Sequence, residues 1–208
     1  MKINKQNLFP EIQNFVDTLK EKSISKERVD ILQPLIKYIQ QKIDNNKDVK
    51  LNFICTHNSR RSQFSQIWAQ TMATNFGIKL FTYSGGVEVT AFNDNAVAAL
   101  NYIGFKIQKE GNNNPLFSVQ YSDELPALKM FSKKYDDSDS PSENFAAIMT
   151  CSHADENCPF IPGAEIRIPI MYDDPKKFDN TPKEAEMYRQ RSEQIAAEMY
   201  YIFSHINS

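Results

Sequence analysis

Apolar residues recur with two different spacings along the chain, and the change comes about a quarter of the way along it. At first they recur every three or four positions. This predicts two amphipathic helices, one over 8–22 and a second that begins after Ser25 as its N-cap. Pro34 interrupts the second apolar stripe and predicts a kink there. The polar segment 44–48 links these helices to the main domain. We interpret residues 1–48 as a helical extension packed on that domain, with a dimer or partner surface as the alternative.

In the rest of the chain, short apolar runs alternate with helical stripes. Short runs of this kind predict buried strands, and their alternation with helices favours a parallel sheet covered on both faces. We therefore predict a doubly wound α/β domain over 49–208. Its predicted elements are, in order, strand 49–54, helix 61–75, strand 79–83, helix 93–103, strand 105–107, strand 145–150, strand 166–168 and helix 183–206.

Residues 108–144 interrupt this alternation. Two short β-like stretches, 116–121 and 127–132, flank a turn sequence and predict a β-hairpin. A polar loop comes after them. We interpret the segment as an insertion near the active-site side of the domain, where surface decoration and substrate selection both remain open as its role.

The strongest chemical signal comes after the first predicted strand, where Cys55 and Arg61 are separated by five residues and Ser62 comes next. A strand, a tight loop and a helix start at this spacing allow backbone N–H groups and a helix N-terminus to surround a tetrahedral oxyanion. The guanidinium can grip two of its oxygens. The same positive field favours the thiolate of Cys55, which makes it a candidate nucleophile.

This loop resembles that of the low-molecular-weight tyrosine phosphatases and of the arsenate reductases that share their fold. The segments 62–68, 83–88 and 93–97 resemble the same group. The resemblance covers the main domain and does not cover residues 1–48. It implies the low-molecular-weight phosphatase fold and an oxyanion site. The residues that it assigns to oxyanion binding are Thr56, His57, Asn58, Ser59, Arg60, Arg61 and Ser62.

Individual roles in the loop are implied by the same resemblance. Asn58 is expected to brace the loop through its side chain, and Ser62 to hydrogen-bond the sulfur of Cys55. Thr56, Ser59 and Arg60 are expected to contribute mainly backbone N–H groups. His57 stands where the family commonly has glycine. Gln66 stands where potassium-binding members often have glutamate, so we carry over no metal site.

The outer cysteines, Cys151 and Cys158, separate two possible functions. They lie seven positions apart and precede Pro159, which resembles the arsenate reductases that thioredoxin recycles. The resemblance implies a relay: Cys55 attacks arsenate, Cys151 attacks the sulfur of Cys55, and Cys158 moves the disulfide outward. Since seven residues of helix span about 10.5 Å and a disulfide needs Cα atoms within about 4.4–6.8 Å, a bonded pair excludes a regular helix between them. We therefore predict a mobile loop that changes shape with redox state.

The general acid is placed at Asp174, within an Asp-Pro pair after the last predicted strand that resembles the acid of the family. It can protonate the departing oxygen of arsenate or of a phosphate ester. Asp173 is its natural control, and a turn role is the alternative for both. His153 suggests zinc together with the outer cysteines, but tetrahedral zinc sites have clearer ligand pairs, so we favour a surface or loop histidine.

Net charge and hydropathy limit the classes of partner that we expect for the protein. The net charge of −2 gives no reason to expect nucleic acid or an anionic membrane. No apolar run approaches the roughly 20 residues that cross a bilayer, and the first residues lack the apolar stretch of a secretory signal. We expect a cytoplasmic protein. Three cysteines in a reducing compartment argue against a structural disulfide framework and leave inert or chemically used thiols.

The sequence is compatible with three functions from different classes. The first is thiol-dependent reduction of arsenate, with phosphate as competitor, no bound cofactor, no metal, and thioredoxin as external reductant. The second is a phosphatase acting on phosphotyrosine or a small ester, in which the outer cysteines protect the nucleophile. The third is a non-catalytic anion or redox sensor that engages a partner through its N-terminal helices.

Overall fold

The structure is a computed structural model that describes residues 7–157 and 160–207. Its strands are β1 (Lys50–Cys55), β2 (Phe81–Gly86), β3 (Lys106–Glu110), β4 (Leu116–Gln120), β5 (Leu128–Met130), β6 (Phe145–Met149) and β7 (Ala164–Pro169). Its α-helices are α1 (Pro10–Thr18), α2 (Lys26–Asp44), α3 (Arg61–Phe76), α4 (Asp94–Ile103), α5 (Ser152–Asn157) and α6 (Glu184–Ser204). Short 3₁₀ helices cover Leu19–Glu21 and Pro175–Phe178.

A four-stranded parallel sheet in the order β2-β1-β6-β7 forms the centre of the domain. Its two middle strands are almost entirely buried, as expected of strands covered on both faces. Ile54 is the register partner of Met149, so the chain leaves β1 and β6 at the same edge. The sequence predicts that Cys55 and Cys151 emerge at one edge, because each follows a strand of a predicted parallel sheet, and the structure confirms it.

The helices of the main domain begin and end at residues suited to those positions. Asn93 caps α4 by accepting hydrogen bonds from two backbone N–H groups. Gly104 and Gly77 end α4 and α3 in the left-handed conformation that glycine adopts without strain. Trp68 of α3 is fully buried and donates to Ser192 of α6, which ties the last helix to the centre of the fold.

The N-terminal extension packs into the same hydrophobic core as the sheet domain. Ser25 caps α2 as predicted, accepting from the backbone of Arg28. Pro34 lies within α2, which runs on through it to Asp44. The predicted helix 8–22 is divided, since its last turn tightens into the 3₁₀ helix.

The insertion departs from the prediction by one strand. β4 and β5 form the predicted hairpin, but β3 pairs antiparallel with β4, which gives a three-stranded meander. The expectation that 105–107 begins another parallel unit was wrong. The reason is exposure: most side chains of β3 face solvent, including Lys106, Lys109 and Glu110, whereas strands of a parallel sheet are buried on both faces.

Candidate active site

The loop between β1 and α3 has carbonyl groups that accept hydrogen bonds from outside it. Because each peptide unit is planar and trans, the N–H beside an accepted carbonyl points the opposite way. The N–H groups of residues 56–60 therefore face the other side, as a row of donors of the kind that binds oxyanions. The contacts are Val87 N to Cys55 O (3.2 Å), Glu88 N to Thr56 O (2.8 Å), Ser132 Oγ to His57 O (2.9 Å), Gln63 Nε2 to Asn58 O (2.9 Å) and Asn93 N to Ser59 O (3.0 Å).

Asn58 bends this loop and also directs the proton of Ser62. Its φ of 44° lies in the left-handed region, which asparagine tolerates better than most residues. Its Oδ1 accepts from the backbone N–H of Lys133 at 3.0 Å, and because that group can only donate, the amide nitrogen must face Ser62. The amide donates to Ser62 Oγ at 2.9 Å. The predicted bracing contact of Asn58 is thereby confirmed.

The orientation of Ser62 determines the hydrogen bond that the sulfur of Cys55 can accept. It lies 3.1 Å from Ser62 Oγ, which already accepts a hydrogen bond from the amide of Asn58. The Ser62 hydroxyl hydrogen is therefore available for the sulfur. Cys55 is 3% exposed, so a reagent must enter the loop to reach it.

Two adjacent arginines at the start of α3 converge on Asp174. Arg60 Nε and Arg61 Nη2 each lie 2.8 Å from a carboxylate oxygen of Asp174. Arg61 Nη1 also donates to the carbonyl of Tyr172 at 3.2 Å. We predicted mainly a backbone role for Arg60; its side chain adds this ion pair. Within the described residues, the buried Nε of Arg61 has no hydrogen-bond partner, so this N–H is available to a ligand.

The Asp-Pro sequence positions Asp174 at the start of the second 3₁₀ helix. Pro175 is preorganised for the first position of the 3₁₀ helix, and Asp174 caps it by accepting from Lys176 N at 3.1 Å. Burial acts to raise the pKa of the carboxyl, but the charges of Arg61 and Arg60 outweigh it, so the pKa lies below its ordinary value.

Asp173 lies outside this arrangement. Its side chain is 77% exposed and contacts Lys177 at 3.6 Å and Arg191 at 3.7 Å. Of the two neighbouring carboxylates, Asp174 is the one in contact with the arginines of the loop.

Cys151 comes directly after Thr150 at the end of β6 and lies against the loop. Its sulfur is 3.4 Å from the hydroxyl oxygen of Thr56 and 3.4 Å from the backbone nitrogen of Ala154 in α5. Cys151 is 2% exposed and is a free thiol. Cys158 lies outside the described residues. The predicted mobile loop is helical, since α5 covers all of the residues between the two outer cysteines.

These groups enclose a small pocket. The pocket is lined by Cys55, His57, Ser59, Arg60, Arg61 and Asp174. The pocket joins the sulfur, two guanidinium groups and a carboxyl. This arrangement suits attack by sulfur on a small tetrahedral anion, with charge neutralised by arginine and a proton supplied by the carboxyl.

Comparison with known proteins gives the family. No family model matches the chain. The chain is 31% identical to the arsenate reductase of Halalkalibacterium halodurans over 139 residues, which make up 67% of this chain and 82% of that protein. It is 30% identical to the arsenate reductase of Bacillus subtilis over 139 residues, 67% and 83% of the two chains. The chain belongs to the arsenate reductase family. The predicted family and the expectation of an enzyme are both confirmed.

The fold of the family is also seen in a solved structure. An arsenate reductase in its oxidised state aligns with a TM-score of 0.50 and 18% identity, covering 76% of this chain and 98% of that one. The predicted α/β class with a parallel central sheet is confirmed.

The described residues of this arsenate reductase family member contain neither a cluster of metal ligands nor a membrane-spanning helix. Across 7–157 and 160–207, no three His, Cys, Asp or Glu side chains form a cluster able to hold a metal ion. The zinc alternative required Cys158 and so falls on the part of the chain that is not described. No helix in the described part is long and apolar enough to span a membrane.

Sequence reasoning missed several contacts that shape the site of this family member. Ser132 donates to His57 O and accepts from Thr90 N, both at 2.9 Å, so the insertion braces the loop. Gly86 lies so close that an added Cβ would meet the Asn58 nitrogen at 2.7 Å. The paired glycines at the end of β2 were the available signal for that close approach. Ser132 offered none, since it lies 75 residues from His57.

Proposed function

We propose that this chain reduces arsenate to arsenite through Cys55, with Cys151 and Cys158 as the second and third thiols and thioredoxin as the reductant. The observation that supports the proposal most directly is the position of Cys151, whose sulfur lies 3.4 Å from the hydroxyl of Thr56, the residue next to the nucleophile. A second thiol at that place is what an oxyanion reductase needs and a phosphatase does not. Relatives named arsenate reductase support the choice of substrate.

In the first step the Cys55 thiolate attacks arsenic and forms a sulfur–arsenic bond. One arsenic–oxygen bond breaks, and Asp174 supplies the proton with which the oxygen leaves as water. The row of N–H groups and Arg61 neutralise the oxyanion charge as the bond forms. A dianion in the loop competes with Asp174 for Arg61. Loss of that partner raises the pKa of the Asp174 carboxyl, which favours the protonated form when a proton is needed.

In the second step Cys151 attacks the sulfur of Cys55. A disulfide forms, the sulfur–arsenic bond breaks, and its electron pair leaves with arsenic as arsenite. The two thiols are oxidised by two electrons and arsenic is reduced by two. Cys158 then attacks Cys151, which frees Cys55, and the dithiol of thioredoxin reduces the Cys151–Cys158 disulfide by exchange.

The third step, formation of the Cys151–Cys158 disulfide, requires α5 to open. Seven residues of intact helix keep Cα atoms about 10.5 Å apart, beyond the span of a disulfide. Asp155 of α5 forms an ion pair with Arg167 of β7 at 2.5 Å, and the same guanidinium donates to the carbonyl of Asp155. We expect both contacts to be lost on oxidation. Hydrogen exchange of Ser152–Asn157 should then be faster in the oxidised protein, and equal exchange in both redox states would contradict the relay.

The deciding experiment measures arsenate-dependent NADPH consumption with thioredoxin and thioredoxin reductase, alongside hydrolysis of para-nitrophenyl phosphate. We expect NADPH consumption that is lost in Cys55→Ser, Cys151→Ser and Cys158→Ser alike. Full activity of Cys158→Ser would refute the three-thiol relay. Single-turnover arsenite formation in Cys158→Ser, where the first two thiols suffice, is the internal control.

Phosphate ester hydrolysis is the second candidate. The pairing of Cys55 with Arg61 and Asp174 in one pocket suits a phosphocysteine intermediate as well. It predicts phosphate release that needs Cys55 and Asp174 but neither outer cysteine. Ester hydrolysis of that kind without arsenate turnover would replace the first proposal.

A further inference from the structure

A buried network connects the N-terminal extension to the active site. Arg28 of α2 donates from Nε and Nη2 to the two carboxylate oxygens of Glu198 in α6, at 2.7 and 2.8 Å. The hydroxyl of Tyr172 donates to Glu198 Oε2 at 2.8 Å. The Arg28 guanidinium also lies 4.9 Å from the centre of the Tyr172 ring. The Glu198 side chain is 4% exposed and Tyr172 is 4% exposed, so these are desolvated contacts.

Tyr172 is the point where this network meets the site. Its carbonyl accepts from Arg61 Nη1 at 3.2 Å, and it stands two residues before Asp174. Its own N–H donates to Thr150 O at 3.1 Å, which fixes its backbone against the end of β6. Tyr172 therefore connects the buried network, through its side chain, to a backbone group that contacts Arg61.

We propose that Arg28, Glu198 and Tyr172 are positioning residues for the oxyanion site. They fix the Tyr172 carbonyl and the Asp174 carboxylate around Arg61, and so set the orientation in which the guanidinium meets the anion. The N-terminal extension then takes part in substrate binding, although none of its described residues borders the pocket around Cys55. The proposal rests on the proposed function only in taking the loop as an oxyanion site.

A control variant can separate a purely structural role of the extension from the proposed positioning role. Lys22, just before α2, forms an ion pair with Glu193 of α6 at 2.5 Å, and both side chains are exposed. This contact also joins the extension to α6, about one helical turn from Glu198, but does not involve Tyr172. Glu193→Gln is therefore a matched control, because it weakens the docking of the extension and leaves the network unchanged.

The test uses inorganic phosphate as the probe, so that it does not depend on turnover. Cys55 alkylation by iodoacetamide is followed at its own peptide by mass spectrometry, and protection by phosphate gives a dissociation constant. Tyr172→Phe, Arg28→Lys and Glu198→Gln are compared with Glu193→Gln and the unchanged chain, with melting temperatures measured for each. Each variant weakens a hydrogen bond to a charged group, and we expect part of that loss to reach the site, so that phosphate binds about fivefold to tenfold more weakly.

We expect the three network variants to lose phosphate affinity and to raise KM for arsenate, with the alkylation rate in the absence of phosphate unchanged. Glu193→Gln should match the unchanged chain in all three measurements. Unaltered phosphate affinity in Tyr172→Phe at full melting temperature would overturn the proposal. If Glu198→Gln fails to fold, Tyr172→Phe decides alone, because it removes a single oxygen. Absence of arsenate turnover in the unchanged chain would defeat the proposed function but would not alter the phosphate result.

Discussion

Asp174→Asn is expected to have opposite effects on binding and on chemistry. The carboxylate accepts hydrogen bonds from both Arg60 and Arg61, and an oxyanion must compete with it for Arg61. The neutral amide competes less and repels the anion less. Binding should therefore improve while turnover falls, since the amide cannot supply a proton.

The size of each effect can be worked out from the contacts. One charge-assisted hydrogen bond, at 2.8 Å between Arg61 Nη2 and Asp174 Oδ2, must be given up when an anion binds. Such bonds are worth about 1.5–3 kcal/mol, and about 1.4 kcal/mol is a factor of ten. We expect phosphate to bind about tenfold more tightly. Loss of a general acid costs about 10²–10⁴ in rate, which is the expected fall in single-turnover arsenite formation.

Titration calorimetry with phosphate and rapid-quench measurement of arsenite with pre-reduced protein test the two effects. Asp173→Asn is the control, because that side chain is 77% exposed and lies outside the pocket. It should change neither quantity by more than about twofold, as expected of an exposed surface charge. Weaker phosphate binding in Asp174→Asn would refute the competition between carboxylate and oxyanion, and a rate reduced less than about tenfold would refute the role of Asp174 as general acid.

Three further predictions concern the same site. Ser62→Ala should slow alkylation of Cys55 at neutral pH by about fivefold to tenfold, since a hydrogen bond of about 1 kcal/mol to the sulfur is lost; Ser65→Ala, whose hydroxyl bonds a carbonyl at 2.8 Å one turn along α3, is the control. Gly86→Ala should abolish turnover and lower the melting temperature, because the new Cβ would meet backbone atoms at 2.6–2.9 Å; an active, stable variant would contradict the close approach. Because the pKa of Asp174 is lowered on folding, its stabilisation is present above the unfolded value of about 3.9 and is lost as the pH falls through the native pKa. Urea unfolding between about pH 5 and pH 2 should therefore show a shallower loss of stability in Asp174→Asn than in the unchanged chain, and parallel curves would count against it.

The sequence was most informative where local chemistry decides the structure. Ser25 was recognisable as a helix cap because a cap acts on N–H groups two or three residues away. The strand before Cys55 was recognisable from its apolar run, and the Asp-Pro pair at Asp174 from its resemblance to the acid of the family. Parallel pairing then placed Cys151 at the same edge as Cys55, which required only the rule that such strands point the same way.

Contacts between distant segments were beyond sequence reasoning. Nothing near Ser132 indicates that its hydroxyl would contact the loop carbonyl of His57. The side chain of Arg60 points to a partner 114 residues away. Short exposed strands such as β3 are also ambiguous, since the same alternation suits either a sheet edge or a meander, and only the pairing partner distinguishes them.

Two long-range contacts near the N-terminus have a consequence for synthesis of the chain. Asn7 finds its partner Glu124 only 117 residues later, and Arg28 finds Glu198 170 residues later. At roughly 5–20 residues per second, Arg28 leaves the ribosome about 10–30 s before the carboxylate that neutralises it. The extension is synthesised before α6, and its contact with Glu198 forms only after α6 has been synthesised. During that interval α2 lacks the surface of α6 against which it packs in the folded protein.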